Sequence, residues 1–114
     1  MMTVRHTFPE VKGTCPVNGD TDVYEIIVEF TYDDNAWRDN FWHVETLSNY
    51  FYEITKTPIS QESLSIQIAR EFCGGFDIND QGSVQFDDEP PVTRTTVKIF
   101  GNHGDVKTET EITI

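Results

Sequence analysis

The sequence is poor in basic residues. Eight Lys and Arg stand against 20 Asp and Glu in 114 residues, which gives a formal net charge of −12. A nucleic-acid binder ordinarily carries a basic patch that faces the phosphate backbone. The overall charge therefore favours a small-molecule ligand, or a polymer held by a few local bases. An acidic surface that serves only solubility, or adaptation to salt, is the simpler alternative.

Cysteine is scarce too, with only Cys15 and Cys73. Intracellular thiols stay reduced, and nothing in the sequence supports a disulfide between the two. No Cys-x-x-Cys or His-x-x-x-His spacing points to zinc, so we expect no metal site. No apolar run reaches the roughly 18 residues of a membrane span, and residues 1–6 lack the apolar core of a signal peptide. We expect a cytoplasmic protein with a single domain over residues 1–114.

The first half of the chain has the pattern of two strands and two helices. Alternation predicts strands near residues 3–12 and over 23–32, with a connector over 13–21 between them. A helix follows, with apolar residues at Val44, Leu47, Phe51 and Ile54. A second helix starts at the N-cap Ser60, with Ile59 and Leu64 as a hydrophobic staple. Its buried stripe is Leu64, Ile68 and Phe72, and Gly74-Gly75 ends it.

The last third of the chain is predicted to be β. Residues 83–86 suggest a short strand, and residues 93–100 and 106–114 alternate well, joined by a hairpin loop over 101–105. The order is β-β-α-α-β-β, which predicts an α+β fold: an antiparallel sheet with two helices on one face.

Cys15 lies in the connector, in the octapeptide Cys-Pro-Val-Asn-Gly-Asp-Thr-Asp that ends at Asp22. A thiolate adds readily to an electrophilic carbon once a base removes its proton. Asp22 is a candidate for moving that proton, although nearby negative charge disfavours the thiolate before substrate binds. A packed, unreactive cysteine is the alternative interpretation.

Glu62 lies in the first turn of the second helix. A purely structural role is one interpretation, because a carboxylate stabilises the positive N-terminal end of a helix. The functional alternative is a ligand contact, since a glutamate fixed at this place can accept two N–H bonds from the edge of a purine-like base. Gln61, beside it, is a second candidate for substrate binding.

Two segments carry a resemblance to a known family. The octapeptide from Cys15 to Asp22 is similar to the Cys-Pro-x-Thr-Gly-Gln-Pro-Asp segment of the 7-cyano-7-deazaguanine reductases (QueF family), which have the tunnelling fold, or T-fold. Residues 57–62 resemble the segment that carries the base-anchoring glutamate of that fold. The resemblance implies that Cys15 adds to the nitrile, Asp22 transfers protons and Glu62 anchors the base. Gln61 stands where the reductases have a histidine that helps proton transfer.

The chain departs from the reductases at their NADPH motif, Glu-Ser-Lys-Ser-x-Lys-x-Tyr. The matching stretch here is residues 45–52, where Leu47 and Tyr50 replace both lysines. Those lysines supply the positive charge that phosphate needs, so we expect no bound cofactor. In this respect the chain resembles the short QueF-like amidinotransferases, which let ammonia resolve the thioimide and so form the amidine of archaeosine.

The resemblance therefore implies an enzyme that turns the nitrile of 7-cyano-7-deazaguanine (preQ0) into an amidine, on a free base, in tRNA or in DNA. An NADPH-dependent reductase that forms the aminomethyl base is the first alternative, and a T-fold binding protein without turnover is the second. T-fold proteins join their sheets into rings, so we expect a ring-shaped homo-oligomer and no membrane partner. Asn102 to Asp105 echoes a tetrapeptide of the reductases, but its place predicts ordinary turn chemistry.

Overall fold

The computed structural model describes residues 1–34, 36, 40–73 and 90–114, and the backbone of 76–78 and 84–86. In chain order the elements are β1 (Met2–Thr14), β2 (Thr21–Tyr32), α1 (Val44–Ile54), α2 (Gln61–Glu71), β3 (Phe76–Ile78), β4 (Val84–Phe86), β5 (Val92–His103) and β6 (Val106–Thr113). Four strands form an antiparallel sheet in the order β1-β2-β5-β6, while β3 and β4 pair in a separate small sheet. The fold is α+β, and the main sheet and helices follow the predicted β-β-α-α-β-β order.

The core lies on one face of this sheet. In β2 the alternation predicted from the sequence is confirmed, because Tyr24, Ile26, Val28, Phe30 and Tyr32 are all almost fully buried. The facing positions of β5, Val97 and Ile99, belong to the same buried cluster. A strand in the middle of a sheet, covered on one face, requires this two-residue period.

Both helices cover that face. Leu47 and Phe51 of α1 and Leu64 and Ile68 of α2 join the buried cluster with β2 and β5. The helix α2 begins as the sequence predicted, since the Ser60 hydroxyl accepts a hydrogen bond from the Ser63 amide at 3.2 Å. The whole arrangement leaves the opposite face of the sheet without a helix among the described residues.

Several strands are longer than the sequence predicted. β1 and β2 extend to Thr14 and Thr21, so the connector is only residues 15–20. The predicted hairpin loop over 101–105 was wrong as well, because β5 continues to His103 and pairs it with Val106. Only Gly104 and Asp105 remain as the turn, and Gly104 has the positive φ of 63° that two-residue hairpins favour.

Two other expectations fall on residues outside the described part. The Gly74-Gly75 helix stop lies outside it, and α2 has its C-cap at Phe72. Of the predicted strand over 83–86, residue 83 also lies outside, whereas Val84–Phe86 is a strand. No helix in the described ranges is both long and apolar enough to cross a membrane.

Candidate functional site

The short connector between β1 and β2 holds Cys15 by its backbone. The Cys15 amide donates to the Asp20 carbonyl at 2.8 Å, and the Cys15 carbonyl accepts from the Gly19 amide at 2.9 Å. Asn18 closes the same turn, because its side-chain oxygen accepts from the Asp20 amide at 2.9 Å. A positive φ of 75° at Gly19 makes a glycine the fitting residue there. The sequence of the octapeptide therefore fixes the backbone that carries the thiol.

A second contact brings the start of α2 beside this connector. The Ile59 amide donates to the Thr14 carbonyl at 3.1 Å, next to Cys15 in the chain. Ile59 is buried, which holds the segment before Ser60 against the sheet. As a result the first turn of α2, with Gln61 and Glu62, lies next to the Cys15 connector.

The structure gathers the four candidate residues around one pocket of about 230 Å³. Its lining residues come from the connector, β2, the start of α2 and the β5–β6 hairpin, and they are Cys15, Pro16, Val17, Asp22, Tyr24, Ser60, Gln61, Glu62, His103 and Thr108. Pockets for drug-sized ligands are roughly 300–1,000 Å³. This pocket therefore suits a smaller ligand.

Asp22 occupies the polar end of the buried face of β2. It is only 7% exposed, and the alternation that buries Tyr24 buries it too. The Tyr24 hydroxyl donates to Asp22 Oδ2 at 3.0 Å, while Asp22 Oδ1 lies 3.7 Å from Nδ1 of His103. Burial, followed by the hydrogen bond to Asp22, raises the pKa of Tyr24 well above its usual value. Tyr24 therefore remains a hydrogen-bond donor to the carboxylate.

Gln61 is buried and links α2 to the β5–β6 hairpin. Its Nε2 donates to the carbonyls of Ile99 at 2.9 Å and Thr108 at 3.0 Å. Its Oε1 lies 2.9 Å from Nε2 of His103. Because two carbonyls face the amide nitrogen, the orientation of the Gln61 side chain is fixed by chemistry. Gln61 thus acts as a structural brace and presents one acceptor to His103.

Two glycines make room for the Tyr24 ring. A Cβ at Gly101, the cross-strand partner of Tyr24, would lie 2.7 Å from the ring and 2.7 Å from Oε1 of Gln61. A Cβ at Gly13 would lie 3.3 Å from the other edge of the ring. Tyr24 therefore lies flat across its neighbours, where its hydroxyl reaches Asp22.

Glu62 is exposed in the first turn of α2. Within the part of the chain that the structure describes, its carboxylate accepts no hydrogen bond, whereas Asp22 has two neighbours. Its charge nevertheless contributes to the raised pKa of Tyr24. Glu62 thus combines a place at the pocket with a carboxylate that is open to a ligand.

Sequence reasoning missed His103, which it assigned to the turn. Gly104 and Asp105 do form a turn, but the His103 ring contacts Gln61 and Asp22 in the pocket. A signal was present, because Val97 and Ile99 point to the core and the same parity continues through Gly101 to His103. Only the register of β5 against β2 identifies Asp22 as its neighbour.

The residues that replace the two motif lysines have structural roles on α1. Leu47 is fully buried in the core. Tyr50 packs edge-on against Phe72, with ring centroids 5.2 Å apart. Neither side chain carries the positive charge that the motif lysines offer to a phosphate. Ser48 and Tyr52, which match the motif, line a separate cleft of about 620 Å³ between β1 and α1.

This cleft between β1 and α1 also contains two lysines. Lys12 lies 3.7 Å from Glu10, and Lys56 lies 2.9 Å from Glu53 and stacks over Tyr52. Each ammonium is therefore already paired with a carboxylate.

In the described ranges, no three His, Cys, Asp or Glu side chains form a metal site, and both cysteines are free.

Comparison with solved structures is informative about the fold. No protein-family model matches the sequence, and no curated protein matches it significantly. The fold is similar to the crystal structure of the archaeosine synthase QueF-Like in the apo form, with a TM-score of 0.70 and 15% sequence identity. The match covers 97% of this chain and 91% of that chain. The T-fold that the family resemblance implied is therefore the fold of this protein.

Proposed function

We propose that this protein is a QueF-like enzyme that converts the nitrile of a 7-cyano-7-deazaguanine-type base into an amidine. One observation carries the proposal: Cys15, Asp22 and Glu62 line a single small pocket, although Glu62 lies far along the chain from the octapeptide that holds the other two. The similarity of the fold to an archaeosine synthase supports the same chemistry.

In the proposed first step the Cys15 sulfur adds to the nitrile carbon. The S–H bond breaks as the C–S bond forms, and Asp22 relays the proton balance: it takes up the thiol proton and gives one proton to the nitrile nitrogen. The product is a covalent thioimide that retains every atom of the base. Glu62 holds the base meanwhile, by accepting hydrogen bonds from its N–H groups at the mouth of the pocket.

In the proposed second step ammonia attacks the thioimide carbon. The C–S bond then breaks, the sulfur regains a proton and the base leaves as an amidine. Overall one nitrile and one ammonia give one amidine, without any oxidant or reductant. Ammonia needs no clamp, whereas hydride transfer needs a nicotinamide held within about 3–3.5 Å of the carbon. Leu47 and Tyr50 offer no charge to hold such a cofactor.

The charge of the protein bears on whether the base is free or part of a nucleic acid. With a net charge of −12, the chain lacks the electrostatic steering that brings tRNA or DNA to a protein. High salt screens charges over a few ångströms and would lessen the repulsion. The free base is therefore a substrate to test beside both nucleic acids.

The decisive experiment is intact mass spectrometry of the protein with 7-cyano-7-deazaguanine, then with ammonium or with NADPH. We expect a mass gain equal to the whole base, which ammonium discharges as an amidine. Parallel reactions with the base in tRNA and in DNA identify the natural carrier. Loss of NADPH absorbance with an aminomethyl product would instead establish a reductase, and no mass gain with any substrate would leave a binding protein.

A further inference from the structure

The hydrogen bonds of Gln61 determine which nitrogen of His103 carries a proton. Both hydrogens of the Gln61 amide are used, on the carbonyls of Ile99 and Thr108. The atom that faces His103 Nε2 at 2.9 Å is therefore the amide oxygen, which is only an acceptor. His103 must donate, so its Nε2 is protonated.

This tautomer has a consequence at the other ring nitrogen. In a neutral imidazole with a proton on Nε2, Nδ1 carries a lone pair. That lone pair would face Oδ1 of Asp22 at 3.7 Å, and two electron-rich atoms repel each other. A single proton on either partner turns the contact into an attraction. At 3.7 Å the two atoms are not hydrogen-bonded, and one proton held by the pair would remove their repulsion.

We propose that His103 is a positioning residue of the pocket. His103 shares one proton with Asp22 and thereby keeps that proton available for the substrate. The delivery of that proton to a nitrile rests on the proposed function. As the C–S bond forms, Asp22 gives its proton to the nitrile nitrogen and receives the proton of the Cys15 thiol. The pair therefore contains the same number of protons before and after the step.

The titratable side chains around Asp22 and His103 are compatible with a proton shared between these two residues. The titratable side chains that line the pocket with His103 are Asp22 and Tyr24 of β2, Cys15 of the connector and Glu62 of α2. Tyr24 is a donor to the second oxygen of Asp22. Among the described residues, His103 is the one side chain lining this pocket that becomes positively charged when it gains a proton, and it lies beside Asp22.

The first test needs no substrate. Nitrogen chemical shifts of the His103 ring, measured by NMR in the free protein, report the proton on each nitrogen. We expect a proton on Nε2 both in the parent protein and in Asp22→Asn, and a proton on Nδ1 in the parent alone. A bare Nε2 would overturn the inference.

The second test measures adduct formation with 7-cyano-7-deazaguanine in His103→Gln. A glutamine can still donate to Gln61 but cannot hold a transferable proton. Because general acid–base groups contribute 10²–10⁴-fold, we expect the rate constant to fall about 100-fold at neutral pH, with the affinity for the base changed only a few-fold. The pH profile of the rate constant should change as well, because the variant lacks the pair that holds the proton.

A matched control is His6→Gln, which makes the same change at a half-buried histidine of β1 outside the pocket. Its rate and pH profile should equal those of the parent. If the parent forms the adduct and His103→Gln is equally fast, the inference about His103 fails alone. If the parent forms no adduct while NMR gives the expected protonation, the proposed function fails and the shared proton stands.

Discussion

The Cys15 pocket is smaller than the cleft between β1 and α1, but its polar groups are more firmly held in place. The cleft is more than twice as large, yet each of its lysines is neutralised by a nearby glutamate on its own segment. The smaller pocket draws polar groups from four parts of the chain and orients them by bonds between those parts. The difference teaches that long-range bracing of polar groups, rather than volume, marks the candidate site of this protein.

The largest expected effect is the loss of the thiol. Cys15→Ala should form no covalent adduct with 7-cyano-7-deazaguanine, because the sulfur that we propose adds to the nitrile is missing. Cys73→Ala is the matched control, since Cys73 lies at the far end of α2 and should leave the adduct intact. Intact mass spectrometry measures both variants. An adduct on Cys15→Ala would show that another residue adds to the nitrile. The Cys15 pocket would then no longer be preferred over the larger cleft as the candidate site.

The next effect concerns binding. Glu62→Gln should weaken binding of the base about 10- to 100-fold, because loss of a charged acceptor costs roughly 1–3 kcal/mol. The free energy of unfolding should fall by less than about 1 kcal/mol, as expected for an exposed first-turn charge. Glu45→Gln makes the same change in the first turn of α1, and should not alter binding. Calorimetry that shows equal affinity in both variants would leave Glu62 with helix stabilisation alone.

A third effect tests the packing beneath the small pocket. Gly101→Ala should lower the free energy of unfolding by about 1–3 kcal/mol, the usual range for overpacking, and should slow adduct formation by displacing Tyr24 and Gln61. Gly13→Ala should cost less, because its new Cβ would lie 3.3 Å rather than 2.7 Å from the ring. Denaturant titration ranks the two variants. The reverse ranking would show that Tyr24 is not held from the β5 side.

The smallest effect is an alkaline one. Because the pKa of Tyr24 is raised in the folded protein, the unfolded chain releases the phenol proton first. Stability is therefore fully present below pH 10 and falls as pH rises, by up to about 1.4 kcal/mol per unit for each such tyrosine. Tyr24→Phe should flatten this fall, and the exposed Tyr52→Phe of the larger cleft should not. Denaturant titrations from pH 8 to 11 measure the slopes, and identical slopes would contradict the burial of Tyr24.

Much of the fold was predictable because local rules determine it. The two-residue period of β2 and the Ser60 cap depend on neighbouring residues and were both predicted correctly. Boundaries were less predictable, since pairing extended β1 and β5 over Gly13 and Gly101, which look like loop residues in the sequence. Each glycine instead makes room for the Tyr24 ring of the neighbouring strand.

The candidate site was only partly accessible for the same reason. Cys15, Asp22 and Glu62 stand in recognisable segments, and their roles stay predictions. His103 has no local pattern of its own, and its place follows from strand register, two residues beyond the last paired residues Tyr24 and Gly101. The brace made by Gln61 depends on Thr108, which lies 47 residues away. Contacts of this kind require the assembled sheet.

The brace at Gln61 has a consequence for the order of events in folding. Gln61 contacts His103 and Thr108, which lie 42 and 47 positions further along the chain. Such distant contacts generally form after local helices and hairpins. The pocket would then be among the last features to appear as the chain refolds. Covalent labelling of Cys15 by the nitrile base, followed in time, should lag behind recovery of the circular dichroism signal, which would make substrate reactivity itself a reporter of completed folding.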